Sequence, residues 1–117
     1  MLEEIEDYEK RKNIQLPFVY KKYYKKWQSN MPMNLVGTDF FLPKLEEFNN
    51  WANELFERNN EKTLLDKNDF VFYSHQGYII FYFKLSEGVN PPVYGYSEIE
   101  KWYKYNSFSE FAKMIES

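Results

Sequence analysis

Apolar positions keep a helical period through the first half of the chain and a strand period through most of the second. Leu2, Ile5 and Tyr8 share one face of a first helix over residues 2–12, with acids outward. Asn13 to Leu16 is a break. Pro17 then suits the first turn of a second helix, where its missing N–H would be unpaired anyway, and Leu16 packs onto the entrance. Tyr20, Tyr23, Tyr24 and Trp27 follow at i, i+3, i+4 and i+7, with Lys21, Lys22, Lys25 and Lys26 on the other side. Residues 29–37 are irregular, with Pro32 and Gly37 as breakers. Asp39-Phe40-Phe41-Leu42 reads as a short strand. Pro43 opens a third helix, which buries Leu45, Phe48, Ala52, Leu55 and Phe56 and runs to about Arg58 with Trp51 flanking. Residues 59–68 form a polar connector with a short helical turn near Leu64-Leu65.

After Asn68 the period changes to two. Phe70–Tyr73 and Tyr78–Phe83 are strands by their β-branched and aromatic content, and Ser74-His75-Gln76-Gly77 is the hairpin turn between them. Both faces of the second strand are apolar or aromatic, as expected of a central strand. Residues 86–90 turn again, Val93–Tyr96 is a third strand and Trp102–Tyr105 a fourth. Ser107 and Glu110 have the spacing of a capping box. Phe108, Phe111, Ala112 and Ile115 make one face of the closing helix. The order predicts an α+β domain over residues 1–117: an antiparallel sheet of about four strands packed against N-terminal helices, with a C-terminal helix.

Composition narrows the chemistry. Aromatic residues are 21% of the 117, enough for a substantial core in a small domain. The net charge of −3 disfavours nucleic acid as partner, because phosphate binding needs clustered positive charge. There is no cysteine, which removes disulfides, thiol catalysis and thiolate metal sites. The acidic first residues are unlike a signal peptide, and Tyr78–Phe83, the longest apolar run, is too short to span a bilayer; a cytoplasmic protein without membrane contact is expected. His75, the one histidine, sits among turn residues and lacks the partner a general base needs. Carboxylates such as Glu46-Glu47 have no metal-ligand spacing, and no phosphate-binding glycine loop is present. The segment from Gln76 to Phe83 faintly echoes an RNA-recognition strand. Gln76 and Ile79 replace its basic and small residues, the element order differs, and sheet core is the better reading. The expectation is therefore no catalytic residue, no metal and no cofactor.

Several motifs then combine in order: Leu16-Pro17 opening an aromatic helix to Trp27, a strand pair around a glycine turn, Pro91-Pro92-Val93-Tyr94, and Ser107-Phe108-Ser109-Glu110-Phe111. Together, from Ile5 to Ile115, they resemble the SUKH superfamily of bacterial toxin-immunity proteins, which also includes a fungal cell-wall regulator. The chain departs from the family's common Asn-Gly after the second helix, where Asn30 is followed by Met31-Pro32. The resemblance implies a non-catalytic domain that binds and neutralises a cognate protein toxin, such as a basic nuclease. The alternative it implies is a regulatory interaction domain without a toxin partner. A monomer or weak homodimer is expected. Partner contacts are expected on an exposed side of the sheet and its turns: Tyr73, His75, Gln76, Tyr78, Tyr94 and Tyr96, with Glu98 and Glu100 as the nearest acids.

Overall fold

A computed structural model describes residues 4–62 and 65–117. Leu2, Leu64 and the helical turn expected at Leu64-Leu65 fall wholly or partly outside them. The described residues form helices α1 (Glu4–Lys12), α2 (Phe18–Ser29), α3 (Phe48–Arg58) and α4 (Phe108–Glu116). Strands β1 (Asp69–His75), β2 (Ile79–Lys84), β3 (Val93–Ser97) and β4 (Lys101–Tyr105) make one antiparallel sheet in chain order. This is the α+β architecture expected, and β2 is a central strand.

The α2 stripe does what its spacing predicts. Tyr20, Tyr24 and Trp27 are buried, and Tyr23 packs at the margin. The lysine face is largely occupied by acids of neighbouring helices. Lys21 pairs with Glu9 at 3.1 Å and Lys25 with Glu6 at 2.9 Å on α1, and Lys26 pairs with Glu116 of α4 at 2.7 Å. Such exposed or partly exposed pairs contribute little to stability, so they align helices that burial holds together. Glu116 also accepts the Trp27 Nε1–H at 2.9 Å, and Lys26 and Trp27 together hold its carboxyl below the usual range.

Two layers of helix enclose the sheet. On one side Tyr20 meets Phe70, Phe72 and Phe83, and Phe111 of α4 meets Phe72, Phe81 and Tyr105. On the other side α3 lays Phe56 against Tyr96 and Trp102, at 5.1 and 5.4 Å between ring centres. The register of β1 shifts between Val71 and Tyr73. That bulge at Phe72 lets two consecutive residues, Phe72 and Tyr73, both reach the ring of Phe111. Gly95 of β3 lies beneath the Phe81 and Tyr103 rings. A methyl group there would come within 2.6 Å of Phe81 and 3.0 Å of Tyr103, so the position requires glycine.

Two expectations are corrected. Asp39–Leu42 is not a strand: Asp39 alone makes a bridge to Ser74. Phe40 and Phe41 do not alternate between opposite faces, because Tyr24 of α2 contacts both rings. The third helix starts later than Pro43, with a 3₁₀ turn at Lys44–Glu47 before α3 proper. The closing helix begins at the expected cap, with the Ser107 hydroxyl accepting the Glu110 N–H at 3.1 Å, but among the described residues no bond returns from the Ser107 N–H to the Glu110 carboxylate, so half of the box forms.

Candidate functional site

In an antiparallel meander the β1–β2 and β3–β4 turns emerge at the same end of the sheet. Here they are tied to each other and to the end of α3. His75-Gln76-Gly77-Tyr78 is a tight turn, with Gln76 and Gly77 both at positive φ and the Tyr78 N–H bonded to the His75 carbonyl at 3.2 Å. The Glu98 N–H donates to the Tyr78 carbonyl at 3.2 Å, which joins one turn to the other. Arg58, at the last turn of α3, donates from Nη2 to the Gly77 carbonyl at 2.9 Å and to the Glu98 carboxylate at 3.2 Å. The Ser97 hydroxyl accepts the Glu100 N–H at 2.9 Å. Most of these bonds involve main chain, so the surface they hold is preorganised.

What this end presents is amphipathic. Tyr78 is 37% exposed and Ile99 90% exposed, and they flank Glu98 and Glu100 around a recess of about 380 Å³. Beside it, a groove of about 350 Å³ runs between α3 and the first turn, bounded by Trp51, Glu54, Arg58, Gln76 and Asp39. Asp39 is paired with Lys44 at 3.3 Å, whereas Glu54 and Glu100 have no cationic partner among the described residues. The local surplus is mildly negative.

The eight residues singled out in the sequence fall in four places. Gln76, Tyr78, Glu98 and Glu100 come together at this end, with the Tyr78 hydroxyl donating to Gln76 Oε1 at 3.1 Å. His75 stands just behind them, its ring edge-on to Tyr78 at 5.4 Å and its Nδ1 buried without a partner among the described residues. Tyr94 lies toward the far end of β3, where its hydroxyl donates to the Glu87 carboxylate at 2.9 Å. Burial, then that bond, raises its pKa.

Tyr73 and Tyr96 are not on an exposed side of the sheet. Tyr73 is packed against Phe81 and Phe111 under α4. Tyr96 is fully buried under Phe56 of α3, with its hydroxyl donating to Glu61 at 3.1 Å. The reason is that helices cover both faces, which strand periodicity alone does not reveal.

The model of the SMI1 / KNR4 family (SUKH-1) matches residues 2–116. The chain belongs to this family. None of the curated proteins and none of the solved structures compared with it matches. In this SUKH-1 domain no group of three His, Cys, Asp or Glu residues is placed to hold a metal ion among the described residues. No described helix is long and apolar enough to cross a membrane.

Two members of the SUKH-1 turn surface were not read from the sequence. Arg58 reads as the partner of Glu54 at i, i+4, yet it bonds residues 19 and 40 positions away, which no local spacing reveals. Ile99 did leave a signal: an isoleucine between two glutamates in a turn has no core position to fill.

Proposed function

We propose that this SUKH-1 domain is a non-catalytic immunity protein that binds a cognate protein toxin through the tied turns and so blocks it. The observation that carries the reading is the turn end itself: exposed Tyr78 and Ile99 on a main-chain-braced scaffold, ringed by Glu98, Glu100 and Glu54. Aromatic and aliphatic anchors on a rigid surface lose little entropy on docking, and a polar rim fixes orientation. The net charge of −3 favours encounter with a basic partner, such as a nuclease. Members of the family generally act by binding, and His75 is consistent with this because it faces a tyrosine ring rather than an orienting carboxylate.

The test is co-expression with the toxin encoded beside the gene. Cells are expected to survive with the wild-type protein. With Tyr78→Ala and Ile99→Ala together they are expected to die, although the variant remains folded. A toxin that kills equally with and without the wild-type protein would remove the immunity reading and leave the regulatory alternative. Full protection by the folded double variant would move the contact away from the turns.

A further inference from the structure

One edge of the sheet has an unfilled hydrogen-bonding row whose side-chain pattern is complementary to itself. The bond from the Glu98 N–H to the Tyr78 carbonyl makes Ile79 and Ser97 a non-hydrogen-bonded pair. Alternation then turns the backbone groups of Tyr96 and Tyr94 toward β2, and those of Ser97, Gly95 and Val93 toward β4. On β4, Lys101, Tyr103 and Tyr105 therefore answer β3, while the N–H and C=O of Trp102 and Lys104 point outward. Among the described residues no strand or side chain meets them.

A lysine on such an edge commonly guards it against pairing. The side chains here point to a different use. Trp102 and Lys104 lie on the α3 side of the sheet, Trp102 beside Tyr96 at 4.9 Å between ring centres and Lys104 with its ammonium 5.6 Å from the centre of the Tyr94 ring. Trp102 keeps 41% of its surface exposed although it already stacks on Phe56.

We propose that β4 pairs antiparallel with β4 of a second copy about a two-fold axis at Tyr103, with Trp102 of each copy opposite Lys104 of the other. In this register the outward groups of both strands form four backbone hydrogen bonds. On the α3 side each ammonium comes to lie between its own Tyr94 and the other copy's Trp102, a cation between two aromatic faces. Both neighbouring symmetric registers are worse. Moving one way sets Lys104 opposite Lys104, a like-charge pair. Moving the other way draws in Lys101, whose φ of 62° breaks the extended edge. The register that avoids both is the one that pairs the cation with the ring. The contact is short, so the dimer is weak, with dissociation in the micromolar to millimolar range.

Sedimentation velocity on the full chain from about 10 μM to about 1 mM tests this. The mean mass is expected to climb from 14.4 kDa toward twice that value. Lys104→Pro removes one outward N–H, and proline is tolerated on an edge, so this variant is expected to stay monomeric throughout. Lys104→Glu keeps the N–H but loses the cation and is expected to weaken association about tenfold or more. It carries the test if near-ultraviolet circular dichroism shows the proline variant unfolded. A wild-type chain that stays monomeric at the highest concentration overturns the proposal. So does a dimer that neither substitution weakens, which would place the contact on another surface such as exposed Phe18 and Val89.

Discussion

Tyr20 and Tyr24 stand one turn apart on the same helix, and the same substitution should move stability in opposite directions. Tyr20 is fully buried among Phe40, Phe70, Phe72, Phe83 and Phe108, and its hydroxyl has no hydrogen-bond partner among the described residues. A buried, unsatisfied polar group costs about 1–3 kcal/mol, and removing it leaves only a small gap in the packing. Tyr20→Phe is therefore expected to stabilise by about 1 kcal/mol. The Tyr24 hydroxyl donates to the Glu4 carboxylate and accepts the Leu42 N–H at 3.2 Å, joining α1, α2 and the segment before α3. Tyr24→Phe leaves that N–H and part of the carboxylate's demand unmet and should destabilise by about 1–2 kcal/mol. For 117 residues the unfolding entropy near the midpoint is about 0.25 kcal/mol/K, so Tm should rise about 4 °C for the first variant and fall about 4–8 °C for the second. Urea titration gives the same comparison if the slopes are equal. A lower midpoint for Tyr20→Phe would refute the reasoning, because it would mean that the hydroxyl is bonded, for instance through a buried water.

Two further outcomes are expected. Burial raises the pKa of Tyr8, Tyr20, Tyr24, Tyr73 and Tyr82, and raises Tyr103 to about 12 with Glu100 as a second cause. The folded state thus keeps protons that the unfolded chain loses near pH 10, so stability is intact below that pH and falls above it. Urea midpoints measured from pH 8 to 11.5 should show this, and Tyr20→Phe should lessen the proton uptake linked to folding by one. Gly95→Ala drives a methyl group into the Phe81 and Tyr103 rings and should cost about 1–3 kcal/mol, read as a drop in Tm. No change there would mean that both rings move aside freely.

Much of the fold was legible because local pattern and burial agree. The α2 stripe, the Ser107 cap and the order of the strands were all visible as period and punctuation. What misled was information carried by contacts distant in sequence. Phe40 and Phe41 look like a strand until α2 takes both rings, and the bulge at Phe72 leaves no mark in an already aromatic run. Gln76, Tyr78, Glu98 and Glu100 lie together, as a meander's alternate turns must, because these turns converge at one end. Tyr73 and Tyr96 were misplaced because an aromatic strand looks the same whether a helix or water lies over it. Arg58 escaped because its partners belong to other elements.

Helices on both sides leave the sheet no broad free face on which to meet anything else. Among the described residues its perimeter stays accessible at the short turns and along the outer border of β4. Substitutions at Gln76, Tyr78, Ile99 or Glu100 touch few residues of the interior, so they can reshape the outer end of the sheet while the aromatic centre goes on folding as before. In such a design, a changed outer surface needs no compensating change at Tyr20, Phe72 or Phe111.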